Sequence, residues 1–396
     1  MEFDKIINRK GTGCTKYDGM AECYGREDLM PMWIADMDFE VCSEIYDALR
    51  ARLDHKIYGY HVPPASYWQS IIDWCGHRHN FHFTREEVTY IPGIVRGIGY
   101  AINFFTQKGD KILIQPPVYH PFRQVIEGNE RVVVKNHLID NGTTMVMDLD
   151  KLEEIIRTER PKMMILCNPH NPGGIIWDRE TLAKVADICY DNHVLVISDE
   201  IHGDLELFGN RYTPFATVSE KAAKISIVFG APSKTFNIPG LVSSWCVIKN
   251  PEIRESFFNW LTVNQWNEPT LFLTVATEAA YTKGEAWLGR ALAYIEDNIR
   301  FAEDFIAKNL PEIRVMRPQA SFLLWLDCTN THLKGKKLCE LFINHAHLAL
   351  NDGEMFGDGG ECHMRFNVGC PRKTLEEALQ HLVDAFDEEG IHKKQK

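Results

Sequence analysis

Three short stretches carry side chains able to do chemistry together. Ser233 and Lys234 follow the apolar run 225–229 (Ile-Ser-Ile-Val-Phe), with Gly230, Pro232, Pro239 and Gly240 around them. A short β-branched run of this kind reads as a buried strand, so the lysine sits on a constrained turn at a strand's C-terminal end. Residues 168–174 (Asn-Pro-His-Asn-Pro-Gly-Gly) follow a strand expected over 162–167, and residues 198–202 (Ser-Asp-Glu-Ile-His) follow one expected from 194. A lone lysine after a strand is usually a solvated side chain. Three polar strand ends change that reading. They bring an amine, a carboxylate, an amide and an imidazole to one sheet edge, where the ligands of parallel sheets bind.

Pyridoxal phosphate needs such a set. Its aldehyde condenses with a lysine amine, and its ring nitrogen stays protonated beside a buried carboxylate. Its phenolic oxygen needs donors. Its phosphate needs backbone N–H groups, best supplied where a helix begins. Residues 93–95 (Gly-Ile-Val) open a helix directly after a strand, as that role requires.

Elements must hold these residues in place. From residue 88 the pattern alternates: strands at 88–91, 111–115, 131–135, 162–167, 194–198 and 225–229, with helices at 93–105, 119–127, 148–158 and 178–191 between them. Residues 244–248 add a further strand. Such alternation argues an α/β fold with a mostly parallel sheet covered by helices on both faces. Gly97 and Gly99 fall inside the first of these helices, so Arg-Gly-Ile-Gly is no dinucleotide fingerprint. Helices follow at 271–282 and 285–309. Strands at 313–315, 322–326 and 362–367, with helices at 336–345 and 374–388, complete a smaller α+β unit. The expected division is an arm and part of the small domain over 1–45, a large domain over 46–284 and a small one over 285–396. Residues 1–30 read as an extended polar arm. Residues 31–39 (Pro-Met-Trp-Ile-Ala-Asp-Met-Asp-Phe) are either a core strand ending in a helix cap or a substrate-facing segment. His77, His79 and His82 read as a solvated helix end, since no carboxylate or thiol cluster accompanies them.

Composition narrows the function classes. The 396 residues carry a net charge of -12, which opposes a nucleic-acid partner that needs a basic face. The 11 cysteines form no Cys-x-x-Cys pair and suit free thiols in a reducing cytoplasm. No apolar run approaches a membrane span, and the first ten residues lack the apolar core of a signal peptide.

These residues also carry a family resemblance. Its stretches are 31–39, 58–60 (Tyr-Gly-Tyr), 116–122 (Pro-Pro-Val-Tyr-His-Pro-Phe), 168–174, 198–202, 233–240 (Ser-Lys-Thr-Phe-Asn-Ile-Pro-Gly) and 365–372 (Arg-Phe-Asn-Val-Gly-Cys-Pro-Arg). Across nearly its whole length the chain resembles fold-type I pyridoxal-phosphate enzymes of the class I/II aminotransferase superfamily. Within that superfamily it resembles the cystathionine β-lyase, or C–S lyase, branch. The resemblance implies an aspartate-aminotransferase-like fold and a homodimer with shared sites. It implies that Lys234 holds the cofactor and carries the α-proton, that Asp199 pairs with the ring nitrogen, and that Asn171 donates to the phenolic oxygen with His202 close by. Tyr119 stacks on the ring and joins Lys234 as a catalytic residue. Ser233 and the N–H groups at Ile94 and Val95 bind phosphate, and Tyr60 reaches the phosphate of the neighbouring subunit. Arg365 grips the substrate's α-carboxylate, with Ile34, Ala35 and Asn171 beside the substrate.

Two departures separate the branches. Aminotransferases of the superfamily usually carry Tyr three residues after the ring-nitrogen aspartate and Arg eight after the lysine. Here those positions are His202 and Val242, as in the C–S lyases. The resemblance thus implies β-elimination from cysteine S-conjugates. Amino transfer is the alternative, and a regulatory protein-binding role on the same fold is a second one.

Overall fold

The computed structural model describes residues 2–391. Its largest element is built from the short apolar runs. Seven strands, β1 (Val88–Ile91), β2 (Lys111–Ile114), β3 (Val132–Lys135), β4 (Met163–Cys167), β5 (Leu195–Asp199), β6 (Ser226–Gly230) and β7 (Ser244–Val247), form one sheet in the order β1-β7-β6-β5-β4-β2-β3. Neighbours from β6 through β3 pair in parallel, while β7 runs antiparallel to both β1 and β6. The α/β class with a mostly parallel sheet is therefore as the sequence predicts.

The sheet is buried on both faces. Leu113, Met164, Leu166 and Val196 pack into one apolar cluster, and Ile112, Ile114, Met163, Ile165 and Ile197 into another. Successive side chains on a strand alternate faces, so near-continuous apolar runs fill two cores at once. The helix Ile94–Phe105 lies close against the sheet because Gly97 lacks a side chain. A Cβ there would stand 2.6 Å from Ile91 Cγ2 and 2.8 Å from Phe229 Cε1.

A second sheet holds β8 (Arg314–Met316), β9 (Leu323–Asp327), β10 (Asn351–Asp352) and β11 (His363–Asn367), in the order β8-β9-β11-β10. The helices Glu285–Asn309 and Arg372–Glu388 run beside it. The start of the chain joins this region: Met30–Pro31 pairs in parallel with Leu348–Ala349.

Several local expectations change. The polar arm contains helical turns, Thr15–Asp18 and Met20–Tyr24, and residues 31–39 are loop beyond Pro31. A hairpin, Leu138–Asp140 with Met145–Met147, and the helix Pro251–Val263 have no counterpart in the sequence reading. The helix expected over 336–345 is α-helical to Glu340 and widens to a π-helix over Leu341–His345. His79 is not solvated. Its side chain is 7% exposed and bonds Asp204 Oδ1 at 2.7 Å, because the helix Ala65–His79 ends against a buried carboxylate. No helix among the described residues is long and apolar enough to cross a membrane.

Candidate active site

The C-terminal ends of β1, β4, β5 and β6, and the start of the reversed β7, lie along one edge of the large sheet. Cys167, Asp199 and Phe229 stand in register across three of these strands. A cavity of about 380 Å³ opens there. It is lined by Lys234, Asp199, Asn171, His202, Tyr119, Ser233, Ile94, Val95, Arg365, Ile34 and Ala35. Every site residue expected from sequence is thus brought to it except Tyr60, which is fully exposed between the helices Ser43–Asp54 and Ala65–His79.

Lys234 lies in a four-residue helical turn, Pro232–Thr235, rather than on an open loop. Its Nζ donates to the Ala35 carbonyl at 2.5 Å. Burial lowers its pKa to about 8, helped by the Arg365 charge and opposed by Asp36 and Asp199. An amine so shifted gives up its proton far more readily than a surface lysine.

Asp199 is the mirror case. Burial raises its carboxyl to about 6, against the Ile201 N–H that it accepts at 3.2 Å and the charge of Lys234. His202 is held neutral, with a pKa near 3, by burial and then by Lys234 and Arg365. Its Nδ1 is buried without a hydrogen-bond partner.

Arg365 is a buried cation without a carboxylate partner among the described residues. Nη1 donates to Asn171 Oδ1 at 3.1 Å, and Nη2 donates to Trp33 O at 3.0 Å and Asn351 Oδ1 at 2.6 Å. Nε has no partner, and burial pulls the pKa down to about 10. An unpaired guanidinium is costly to bury, so this one is built to receive an anion. Because Asn171 spends Oδ1 on Arg365, its Nδ2 is left as the donor. The Asn171 carbonyl meanwhile accepts from Tyr119 N at 3.0 Å, tying the aromatic ring's position to the amide.

The helix Ile94–Phe105 starts at Gly93 with no side-chain cap, leaving its first N–H groups available to an anion. Val242, in left-handed backbone (φ 54), closes the cavity beside Gly93. The loop 168–174 is clamped from behind. Gly174, at φ 63, would place a Cβ 2.5 Å from Pro318 Cβ, and its carbonyl accepts from Gln319 N and Ala320 N.

The wall formed by residues 34–38 is held by charges that the sequence did not mark. Arg9 bonds Asp36 Oδ2 at 2.7 Å and Asp38 Oδ1 at 2.6 Å, while Lys16, 1% exposed, bonds Asp38 Oδ2 at 2.7 Å. On the other side Asn237, three residues after Lys234, donates to Met37 O and Phe39 O. Asn351, Trp33, His120 and Cys167 also line the cavity and were missed. Asn351 opens the short strand β10 opposite Arg365, just before a Gly-rich stretch whose composition signals a turn but no chemistry.

Two features of the cavity suit pyridoxal phosphate. A buried carboxylate and a readily deprotonated lysine share one cavity, and an uncapped helix start opens into it. The unpaired Arg365 adds a place for a carboxylate-bearing substrate. The residues fit that group.

Comparison with known proteins agrees. The family of class I and II aminotransferases matches residues 27–382. Cystathionine beta-lyase PatB of Bacillus subtilis is 40% identical over 386 residues, covering 98% of this chain and all of the relative. Among solved structures, a PLP-bound protein from Clostridium difficile 630 named as an aminotransferase superposes with a TM-score of 0.94 at 39% identity, covering 97% of this chain and 99% of that one. The PLP-bound C-S lyase from Staphylococcus hominis superposes with a TM-score of 0.91 at 33% identity, covering 97% and 98%.

Proposed function

The chain belongs to the class I and II aminotransferase family, and on that footing we propose that it is a pyridoxal-phosphate-dependent carbon–sulfur β-lyase. It cleaves cystathionine or a related cysteine S-conjugate to pyruvate, ammonia and a thiol. One observation carries the proposal: a single cavity gathers Lys234, Asp199, Asn171 and an unpaired Arg365 in a chain 40% identical throughout to a cystathionine β-lyase. His202 and Val242, both on the cavity wall, stand where an aminotransferase would carry Tyr and Arg.

Bound pyridoxal phosphate supplies an aldehyde for the substrate's amino group and a ring that accepts the electron pair left at the α-carbon. The chain's own residues do the rest. Lys234 would hold the cofactor through Nζ until the substrate's amino group takes its place, and the amine so released, which burial lowers to about 8, would then take the α-proton. Asp199 keeps the ring nitrogen protonated. Asn171 donates to the phenolic oxygen with His202 beside it, and Tyr119 covers the ring. Ser233 and the N–H groups of Ile94 and Val95 hold phosphate. Arg365 clamps the α-carboxylate against the wall of Ile34 and Ala35. With the α-carbon fixed between Arg365 and Lys234, the thiolate on the β-carbon departs once the α-proton is taken.

The working assembly is a homodimer in which Tyr60 reaches the neighbouring subunit's phosphate site. Supporting this, Ile57, Tyr58, Tyr60 and Val62 form an exposed apolar run, the kind of surface a partner covers. The 11 free cysteines support a reducing, cytoplasmic setting. The domain division is an arm with part of the small domain over 1–45, a large domain over 46–284 and a small one over 285–396.

The test is to incubate the protein with cystathionine and no keto acid. Pyruvate and thiol should appear together, faster than amino groups move from common amino acids to 2-oxoglutarate. Faster amino transfer would establish the second reading, which the aminotransferase name of the Clostridium difficile structure favours.

A further inference from the structure

Lys234 and Thr235 are consecutive in one helical turn but serve opposite sides of it. Lys234 faces the cavity. Thr235 is wholly buried behind it, and its hydroxyl donates to Asp204 Oδ2 at 2.8 Å. The other oxygen of Asp204 accepts from Trp74 Nε1 at 2.9 Å and is bonded by His79 Nε2 at 2.7 Å. Arg78 donates to the Asp204 carbonyl at 2.9 Å, with its Nε 3.5 Å from Oδ1. Trp74, Arg78 and His79 all belong to the helix Ala65–His79. One buried carboxylate therefore fastens that helix to the turn carrying Lys234.

We propose that Asp204 is a positioning residue for Lys234, acting through the Thr235 hydroxyl to fix the direction from which the amine approaches the substrate's α-carbon. The proposal rests on Lys234 being the cofactor lysine and proton carrier. Three points support it. A turn of four residues has almost no internal hydrogen bonding to hold itself: Phe236 N to Pro232 O closes it. Its preceding peptide is anchored by β6, and Asn237 beyond it is tied to Met37 and Phe39, so the Thr235 hydroxyl supplies the turn's own hydrogen-bonded tie to the helix Ala65–His79 through Asp204. Burial works against the charge on Asp204, yet the donors, His79 foremost, hold its pKa below the usual carboxylate value. The anchor is therefore a fixed charge with charge-assisted bonds, stiffer than neutral ones.

Proton transfer depends steeply on such direction. A misplacement of about 1 Å can cost on the order of 100-fold. Thr235→Val keeps the shape and removes the bond, while Thr235→Ser keeps the bond. The holoenzymes are compared by kcat and KM, by the α-deuterium isotope effect on kcat, and by the circular dichroism of the cofactor's visible band. For Thr235→Val we expect kcat to fall roughly tenfold with KM changed less than about twofold, together with a larger isotope effect and a weakened dichroic band. Thr235→Ser should restore kcat, isotope effect and dichroic band. A Thr235→Val protein with a lower melting temperature but unaltered isotope effect and dichroism overturns the proposal, as does failure of Ser to rescue. If Thr235→Val does not fold, Trp74→Phe removes one donor from Asp204 and keeps both the Thr235 hydroxyl and an aromatic ring against Phe236. It should move the same readouts less far in the same direction, and no movement overturns the proposal. Borohydride reduction and peptide mapping of the wild-type holoenzyme check the premise separately: label on Lys234 supports it, and label elsewhere removes premise and proposal together.

Discussion

Arg365 Nη1 stands 3.1 Å from Asn171 Oδ1, and that bond sets the roles of both residues. It turns the amide so that Nδ2 is the donor left over. It also fixes the guanidinium plane without neutralising it, since the other partners of Arg365 are a backbone carbonyl and a second amide. The cation is oriented and still unpaired.

Arg365→Ala should therefore lose substrate binding and leave cofactor content intact. By analogy with losing one partner of a buried charge pair, kcat/KM should fall by roughly 2–5 kcal/mol. Arg365→Lys should recover little, because an ammonium cannot hold a carboxylate with two parallel bonds. Steady-state kinetics with cystathionine reads both. A loss below tenfold for the alanine variant would count against the carboxylate clamp.

The cofactor-free protein should show the cost of burying Asp199. Its carboxyl titrates near 6 when folded, above the ordinary 3.8. The folded state therefore holds that proton more tightly than the unfolded chain. The contribution of Asp199 to stability falls as pH rises from about 4 to 6 and stays low above that. Asp199→Asn removes the charge, so at pH 7.5 the cofactor-free variant should be more stable than the parent by up to about 3 kcal/mol. The gap should close near pH 4, and activity should collapse. Urea midpoints at the two pH values, with no gap at 7.5, would refute this.

Mixing inactive chains tests the shared site. A Lys234→Ala chain and a Tyr60→Phe chain, each a poor enzyme alone, should regain activity after subunit exchange, because one of the two sites in the mixed dimer has both residues intact. Tyr58→Phe belongs in the same experiment as a control for the neighbouring tyrosine. No recovery after verified exchange would exclude a shared site.

Lys16 is 1% exposed and paired with Asp38. Breaking a buried pair by removing one partner typically costs about 3–5 kcal/mol. Arg9 still neutralises part of the charge, so Lys16→Met should cost roughly 3 kcal/mol, at the low end of that range. KM should also rise as the wall of Ile34 and Ala35 loosens. An unchanged denaturation midpoint would show that Arg9 alone suffices.

Much of the site could be read from sequence because its chemistry sits where strands stop. Lys234, Asp199 and Asn171 each follow an apolar run, and alternation alone places such ends on one edge. Lys16, Arg9 and Asp204 could not be read that way. Their burial depends on partners far off in sequence, and a charged residue in a polar stretch looks solvated until those partners are known. His79 failed for the same reason. The helix Pro251–Val263 is different. Asn250 caps it by accepting from Glu252 N, and Ile253, Phe257, Phe258 and Leu261 share one face at helical spacing, so the signal was present.

The bond from Arg365 to the Trp33 carbonyl spans 332 residues, and Met30–Pro31 waits for Leu348–Ala349. This has a consequence in time. At ~5–20 residues per second, a ribosome delivers the Trp33 segment roughly 17–66 seconds before the strand that carries Arg365. During that interval the strand ends bearing Asp199 and Lys234 have emerged, and the Arg365 side of the cavity does not yet exist. The cavity is therefore assembled only after the strand bearing Arg365 has been made and closes against the segment that holds Trp33.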